Sequence, residues 1–320
     1  LTTLTPDEGF KVGGIRDSAG IGTSISAAGD VNGDGVNDVI IGAPFIDSLG
    51  HFQSGEAYLI YGKDAAHGDI NVATLSPDQG FGIAGADFYD RAGDAVSGAG
   101  DLNGDGFADL LVGSSQIPPN TGESYVIYGR DFTGSVTHLG DDGNNTLTGT
   151  AAAESFVGGR GNDVLFGGGG ADAFHGGAGN DEIHVTDGKF LHIDGGSGFD
   201  TLHLDYAGAI DFGDLDANPA TQNHDRIAGI EAINVDNGQA NAMTLHLADV
   251  LGIDTDAHDL GGKATLDNVL KIDGNTGDTL SLSTADGWSA ADTTTLPGYA
   301  VYAAHDVKIA VDHDIAVSVS

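Results

Sequence analysis

Cysteine is absent from the 320 residues, which removes disulfides, thiolate metal sites and cysteine nucleophiles. Methionine and tryptophan occur once each, so no methionine-rich groove is on offer to a partner. Basic residues are scarce, with 11 Lys and Arg against 48 Asp and Glu and a net charge of −37. That balance argues against nucleic acid as a partner, because phosphate is neutralised by clustered Lys and Arg. No apolar run approaches the roughly 20 residues that cross a bilayer as a helix, so no membrane span is expected. No cleavable leader opens the chain, and Leu1 rather than Met stands first, which reads as a fragment or a processed product. Two catalytic signatures are missing as well: no His-Glu-x-x-His metal motif and no Gly-x-Ser-x-Gly elbow occurs.

What the chain has in abundance is glycine, 53 residues, more than double average usage. Such an excess asks for many tight turns. A hydrophobic content of 40% still allows packed cores. The acidic surplus would make a metal-free compact state repel itself, and divalent cations are the natural counterion.

An internal repeat opens the chain. Thr5-Pro6-Asp7-Glu8-Gly9-Phe10 returns 71 positions later as Ser76-Pro77-Asp78-Gln79-Gly80-Phe81, and Tyr58-Leu59-Ile60-Tyr61-Gly62 returns as Tyr125-Val126-Ile127-Tyr128-Gly129. Short apolar runs such as Val39-Ile40-Ile41 and Leu110-Leu111-Val112 read as buried strands bounded by Gly. About four short strands fit one repeat, which is one propeller blade. The recurring tyrosines are expected as core or edge residues of that blade.

Within each copy, side-chain oxygens fall at loop positions 1, 3, 5 and 9: Asp30, Asn32, Asp34 and Asp38, then Asp101, Asn103, Asp105 and Asp109. Ca²⁺ takes six to eight oxygens, and the backbone carbonyls of Val36 and Phe107 would add one at position 7. An EF-hand requires a Glu at position 12 and flanking helices; Ile41 and Val112 stand there, and the flank is a strand. The loop, its apolar run and Gly42-Ala43-Pro44 resemble the FG-GAP repeat of integrin α-chain propellers and many bacterial surface proteins. The second copy has Gly113-Ser114-Ser115 instead of Gly-Ala-Pro. The resemblance implies calcium ligation by the loop residues just named.

From about Gly140 to Leu204 the period is nine, and Gly158-Gly159-Arg160-Gly161-Asn162-Asp163-Val164-Leu165-Phe166 is its cleanest unit. The sixth position carries Asn145, Glu154, Asp163, Asp172, Asp181 and Asp200, and the eighth carries Leu147, Phe156, Leu165, Phe174, Ile183 and Leu202. The turn near Val185 is broken and lengthened by one residue. The unit G-G-x-G-x-D-x-U-x is a calcium β-helix repeat. Its glycines bend the backbone so that carbonyls face a cation, its Asp supplies a carboxylate, and its eighth residue fills a narrow core. Two units make one coil, so Asp163 is expected to approach Asp181, and Asp181 to approach Asp200. This resembles the RTX repeat of type I-secreted bacterial proteins, whose rolls stay unfolded in calcium-poor cytosol and fold outside the cell. Carried over by position, the implied Ca²⁺ ligands are Gly158, Arg160 and Asp163; Gly167, Gly169 and Asp172; Gly176, Ala178 and Asp181; and Gly195, Ser197 and Asp200.

Residues from about 209 onward alternate in places, as in Val307, Ile309 and Val311, which is strand patterning. One short helix is expected around Leu245 to Leu251. The stretch Val269–Leu282, Trp288 and Tyr299–Tyr302 resemble tail regions of large RTX adhesins. Of the 12 histidines, His175, His184 and His203 hold the ninth position of their units. Consecutive units lie on opposite sheets, so His175 and His184 are not expected to meet. The histidines are expected as solvated surface groups.

The expected architecture is all-β: FG-GAP propeller-type blades over 1–134, a parallel calcium β-roll over 135–206, and a C-terminal β-rich adhesin-tail domain over 207–320. The expected function is non-catalytic. Several Ca²⁺ ions would fold a region of a type I-secreted bacterial surface adhesin, extracellular or at the cell surface, presenting a site for a glycan or peptide on a host or neighbouring cell. Two rivals are a module of a calcium-dependent surface layer and the non-catalytic tail of a secreted hydrolase.

Overall fold

The computed structural model describes residues 9–14, 19–63, 68–115, 122–213, 226–247, 269–291, 298–305 and 307–320. They divide into two compact units, Leu1–Asn103 with Phe107–Ser135 and Gly104–Gly106 with Val136–Ser320. The architecture is all-β, with the described secondary structure carried almost entirely by strands.

In the first unit, Ser24–Gly29, Asp38–Ala43, Glu56–Ile60 and Gly80–Ala84 form one antiparallel sheet. Ala92–Gly100, Asp109–Ser114 and Glu123–Ile127 form a second. Each is one copy of the repeat, but the fourth strand of the first sheet is the Gly-Phe segment that opens the second copy. Among the described residues no such strand covers Glu123–Ile127. Burial follows directly: Tyr58 is 5% exposed and its counterpart Tyr125 is 43% exposed. Ala28, Ile40, Leu59, Leu110 and Val112 join the two sheets in one core. The sheets touch through glycine, since a Cβ on Gly42 would lie 1.9 Å from the Gly93 carbonyl oxygen. The Ser24 hydroxyl donates to that same oxygen at 2.8 Å.

The second unit is a parallel coil. One face stacks His138–Leu139, Ser155–Arg160, Ala173–Ala178, His192–Ser197 and Ile227–Ala228. The other stacks Thr146–Thr148, Val164–Phe166, Glu182–Val185, Thr201–Leu204, Ala232–Asn234, Val269–Asp273 and Val307–Asp312. Parallel pairing needs a crossover between neighbours, and from His138 to Leu204 each crossover is a strand of the opposite sheet. Phe156 faces Phe174 and Val164 faces Glu182; past the lengthened turn Ala173 faces His192 and Glu182 faces Thr201.

The sheets do not stop where the nine-residue pattern fades. The second face runs on without a break past Leu204, and Tyr299–Ala304 and Ser289–Ala290 close its edge antiparallel. A third parallel sheet begins there, of Ala209–Asp211, Ala242–Leu245, Thr279–Leu282 and Ala316–Val319. Leu245 ends a strand, Leu247 is helical, and the remainder of the expected short helix, from residue 248, lies outside the described residues. One apolar core runs from Phe156 and Phe174 through Leu202, Ile233 and Ile272 to Trp288, Val311 and Ile315. Position 8 supplies its first columns, with Phe156 and Phe174 stacked at 4.9 Å. Phe174 is fully buried in that narrow core. Phe174→Ala is expected to cost about 3–5 kcal/mol, measured by urea denaturation of the calcium-saturated chain. A cost below about 1 kcal/mol would mean that the column does not hold the coils together.

Candidate metal centres

Each turn of the coil is set by glycine at position 2. Gly159, Gly177 and Gly196 take φ of +96°, +101° and +91°, a region that side chains disfavour. A Cβ on Gly177 would also meet the Gly159 carbonyl oxygen at 2.0 Å. The turns therefore stack directly on one another, and the position-6 acids line up.

The acids form a ladder. The backbone N–H of Asn145 donates to Asp163 Oδ1 at 2.7 Å, that of Asp163 to Asp181 Oδ1 at 2.7 Å, and that of Asp181 to Asp200 Oδ1 at 2.8 Å. Asp200 then donates its N–H to Glu231 Oε2 at 2.7 Å. Glu231 is a rung that the nonapeptide pattern does not reveal, because it lies 31 residues on, beyond the repeat. On the opposite side Glu154 N–H donates to Asp172 Oδ1 at 2.9 Å. A similar bond joins Asn241 N–H to Asp278 Oδ1 at 2.7 Å, farther along the coil.

The second oxygens decide the chemistry. Oδ2 of Asp163, Asp181 and Asp200 is buried, and each lacks a hydrogen-bond partner among the described residues. These oxygens sit against the position-1 glycines: a Cβ on Gly158, Gly176 or Gly195 would lie 2.6, 2.5 or 2.8 Å from the respective Oδ2. A buried carboxylate oxygen without a partner is costly. Burial pushes the Asp181 carboxyl up to about 6 and the Asp200 carboxyl up to about 8, against the pull of the backbone N–H bonds. Asp163 and Asp172 are also raised, chiefly by burial.

Backbone carbonyls of positions 1 and 3 border the same row. Ala178 O and Ser197 O each accept one N–H, from Gly161 and Gly179, both at 2.8 Å; a carbonyl oxygen has two lone pairs. Arg160, Ala178 and Ser197 share one register, and a Cβ on Gly158 would lie 2.5 Å from Gly176 O. Gly167 donates its N–H to His184 O at 3.1 Å, and Gly169 takes φ +97°. An all-oxygen set of carboxylates and carbonyls fits a hard divalent cation such as Ca²⁺. It does not fit a thiolate- or imidazole-seeking metal.

The first-unit loops are built differently. Asp30 accepts N–H bonds from Gly33 (2.7 Å), Asp34 (3.1 Å) and Gly35 (2.6 Å). Asn32 Oδ1 accepts from Asp34 N–H, and Asp34 Oδ1 accepts from Val36 N–H. Position 9 is a latch in both copies. Asp38 accepts from Val31 N–H and Gly62 N–H, and Asp109 accepts from Leu102 N–H and Gly129 N–H, at 2.8–3.0 Å. Burial pushes Asp38 up to about 8, with Asp30 and Asp34 adding to the rise. Asp30 and Asn32 are buried, whereas Asp101 is exposed and Asn103, like Asp105, is half-buried; Phe107 is buried and Val36 half-buried.

The histidines depart from expectation. His175 and His184 do lie on opposite sheets, but His175 is buried rather than solvated. His184 and His203, two units apart on one sheet, stack at 4.1 Å. Tyr58 and Tyr61 are core residues, whereas Tyr125 and Tyr128 are exposed.

Residues 22–60 and 92–127 match the FG-GAP repeat, and residues 148–183 match the RTX calcium-binding nonapeptide repeat in four copies. The chain carries FG-GAP and RTX repeats. The FG-GAP half is similar to integrin α-chains and to a phospholipase. Integrin alpha-4 of Xenopus laevis is 28% identical over 123 residues, 38% of this chain and 11% of that protein. Phosphatidylinositol-glycan-specific phospholipase D of Rattus norvegicus is 36% identical over 110 residues, 33% of this chain and 13% of that protein. Integrin alpha pat-2 of Caenorhabditis briggsae is 39% identical over 94 residues, 29% of this chain and 7% of that protein. The chain thus spans about a tenth of the length of these relatives. The RTX repeats make this a calcium-binding repeat region, and the orphaned carboxylate oxygens fit that ion.

Two outcomes follow. Asp181→Asn removes one charge from the middle rung and is expected to weaken calcium binding at least tenfold, about 1.4 kcal/mol, by calorimetric titration. In metal-stripped protein the raised carboxyls hold protons more tightly folded than unfolded, where the value is about 3.9. Metal-free stability is then highest near pH 4 and falls as pH rises through about 6 and 8. Its melting temperature should drop between pH 5 and pH 8, and saturating calcium should flatten or reverse that trend, because the ion binds the deprotonated form. A metal-free melting temperature that rises across this interval would contradict the burial argument.

Proposed function

We propose that this chain is a calcium-folded, non-catalytic region of a bacterial surface adhesin, exported by type I secretion and located outside the cell. The observation that carries the reading is the row of buried Asp163, Asp181 and Asp200 oxygens without a hydrogen-bond partner among the described residues. A coil built this way is disfavoured without a divalent ion and stabilised with one. The proposed ligands are the position-6 carboxylates with the position-1 and position-3 carbonyls of the roll. In the FG-GAP loops they are Asp30, Asn32, Asp34, Asp38 and the Val36 carbonyl, with their counterparts in the second copy.

A site that binds only the native state stabilises it by RT ln(1 + [L]/Kd). For a Kd near 0.1 mM, in the range of extracellular modules, millimolar calcium contributes about 1.4 kcal/mol per site. Such sites are empty in the cytosol and filled outside, which separates export in an extended state from folding at the destination. The FG-GAP half, similar to integrin α-chains, is the part proposed to present a glycan or peptide ligand. The similarity to a phospholipase D favours a second reading, the non-catalytic tail of a secreted hydrolase.

Stripping calcium with a chelator is expected to lower the melting temperature and the circular dichroism signal, and millimolar Ca²⁺ to restore both. No change on either step would sink the proposal. A glycan and peptide array, run with calcium and with chelator, separates the two readings. Calcium-dependent binding supports adhesion, whereas silence on both favours the tail.

A further inference from the structure

Beyond the calcium sites, the coil gathers nitrogen ligands on the outer surface of its second sheet. Glu182 and His184 are two apart on the strand Glu182–Val185, so their side chains leave the same side. His203 stands directly opposite His184 on the neighbouring strand Thr201–Leu204. The one-residue insertion before the latter strand is absorbed in the turn, so the two ninth-position histidines stay in register. One ligand atom from each of Glu182, His184 and His203 lies within 4.8 Å of the others. His184 Nε2 is 3.8 Å from Glu182 Oε2. Asp205 Oδ2 lies 2.8 Å from His184 Nδ1.

We infer that Glu182, His184 and His203 form a site for a borderline divalent transition metal of the Zn²⁺ class, chemically separate from the calcium row. Asp205 is a positioning residue: a carboxylate that accepts Nδ1–H fixes the tautomer and leaves the His184 Nε2 lone pair for a metal, the usual outer-shell partner of a ligating histidine. Two imidazoles and one carboxylate match the donor set of open zinc sites. Oxygen-seeking Ca²⁺ does not select imidazole. Zinc bonds of about 2.0–2.1 Å place tetrahedral ligand atoms about 3.4 Å apart. The trio reaches that by modest rotation of the exposed Glu182 and the half-buried His184 and His203 side chains, with solvent completing the fourth position. A purely aromatic ladder explains the stacking of Phe166, His184 and His203 at 4.4 and 4.1 Å, but not carboxylates at both edges of the His184 ring.

The test uses the whole chain saturated with calcium, so that every oxygen site is filled. Zn²⁺ is titrated by calorimetry, and Co²⁺ is followed by its visible absorption. One ion per chain with micromolar affinity and an intense tetrahedral Co²⁺ band is expected. His184→Ala and His203→Ala should each abolish the band, and Asp205→Asn should weaken binding about 10–100-fold. His246→Ala, which alters a histidine paired with Asp286 elsewhere, should change nothing. Unchanged calcium-saturated melting of each variant shows that it folds; if an alanine variant does not fold, His203→Gln replaces it. Three results overturn the assignment: no binding at micromolar metal, binding that survives the His184/His203 double variant, or loss on His192→Ala instead. The last would move the ion to His175, His192 and Asp194 on the other sheet.

Discussion

The second oxygen of each stacked aspartate governs the molecule. In the RTX coil one oxygen of Asp163, Asp181 and Asp200 is committed to the amide of the preceding coil, and the other is buried without a hydrogen-bond partner among the described residues. The position-1 glycines Gly158, Gly176 and Gly195 that press against these oxygens also lie against a backbone carbonyl of the next coil, at Gly176, Gly195 and Gly229. Close stacking and unmet charge are therefore one feature. A side chain in place of these glycines would clash with both the carboxylate and the next coil, and keeping glycine holds the carboxylates in the closely packed interior.

The FG-GAP loops meet the same electrostatic problem in another way. Asp38 and Asp109 turn both oxygens to backbone N–H groups, and Asp30 accepts three. These carboxylates close loops and tie strand ends together through the chain's own donors. A metal there would add to an arrangement already bonded, whereas in the coil it answers an unmet demand. The two repeat types thus satisfy their carboxylates to different degrees within one polypeptide.

Much of this was legible in the sequence because the periods are short and exact. Nine residues per half-coil places Asp163 beside Asp181 and fills a column with Leu165, Ile183 and Leu202, and the structure has that column. Glu231 and Asp278 were not legible. Their spacings follow the geometry of a coil that has lost its sequence repeat, so parallel pairing persists after the pattern that announces it is gone. The borrowed strand Gly80–Ala84 escaped notice for a related reason: a sequence repeat marks what recurs, not which copy pairs with which. The His184–His203 pair was within reach, since units two apart share a sheet, but comparing only neighbouring units hid it.

The ladder also has a direction. Every amide in it is satisfied by an acid that comes later in the chain, Asn145 by Asp163 and so on to Asp200 by Glu231. A stacked array of this kind gains its stability from nearest neighbours. Each winding is therefore incomplete until the winding on its C-terminal side is in place. Glu231 closes the row, so the last rung, rather than the first, is the one on which completion of the ladder depends.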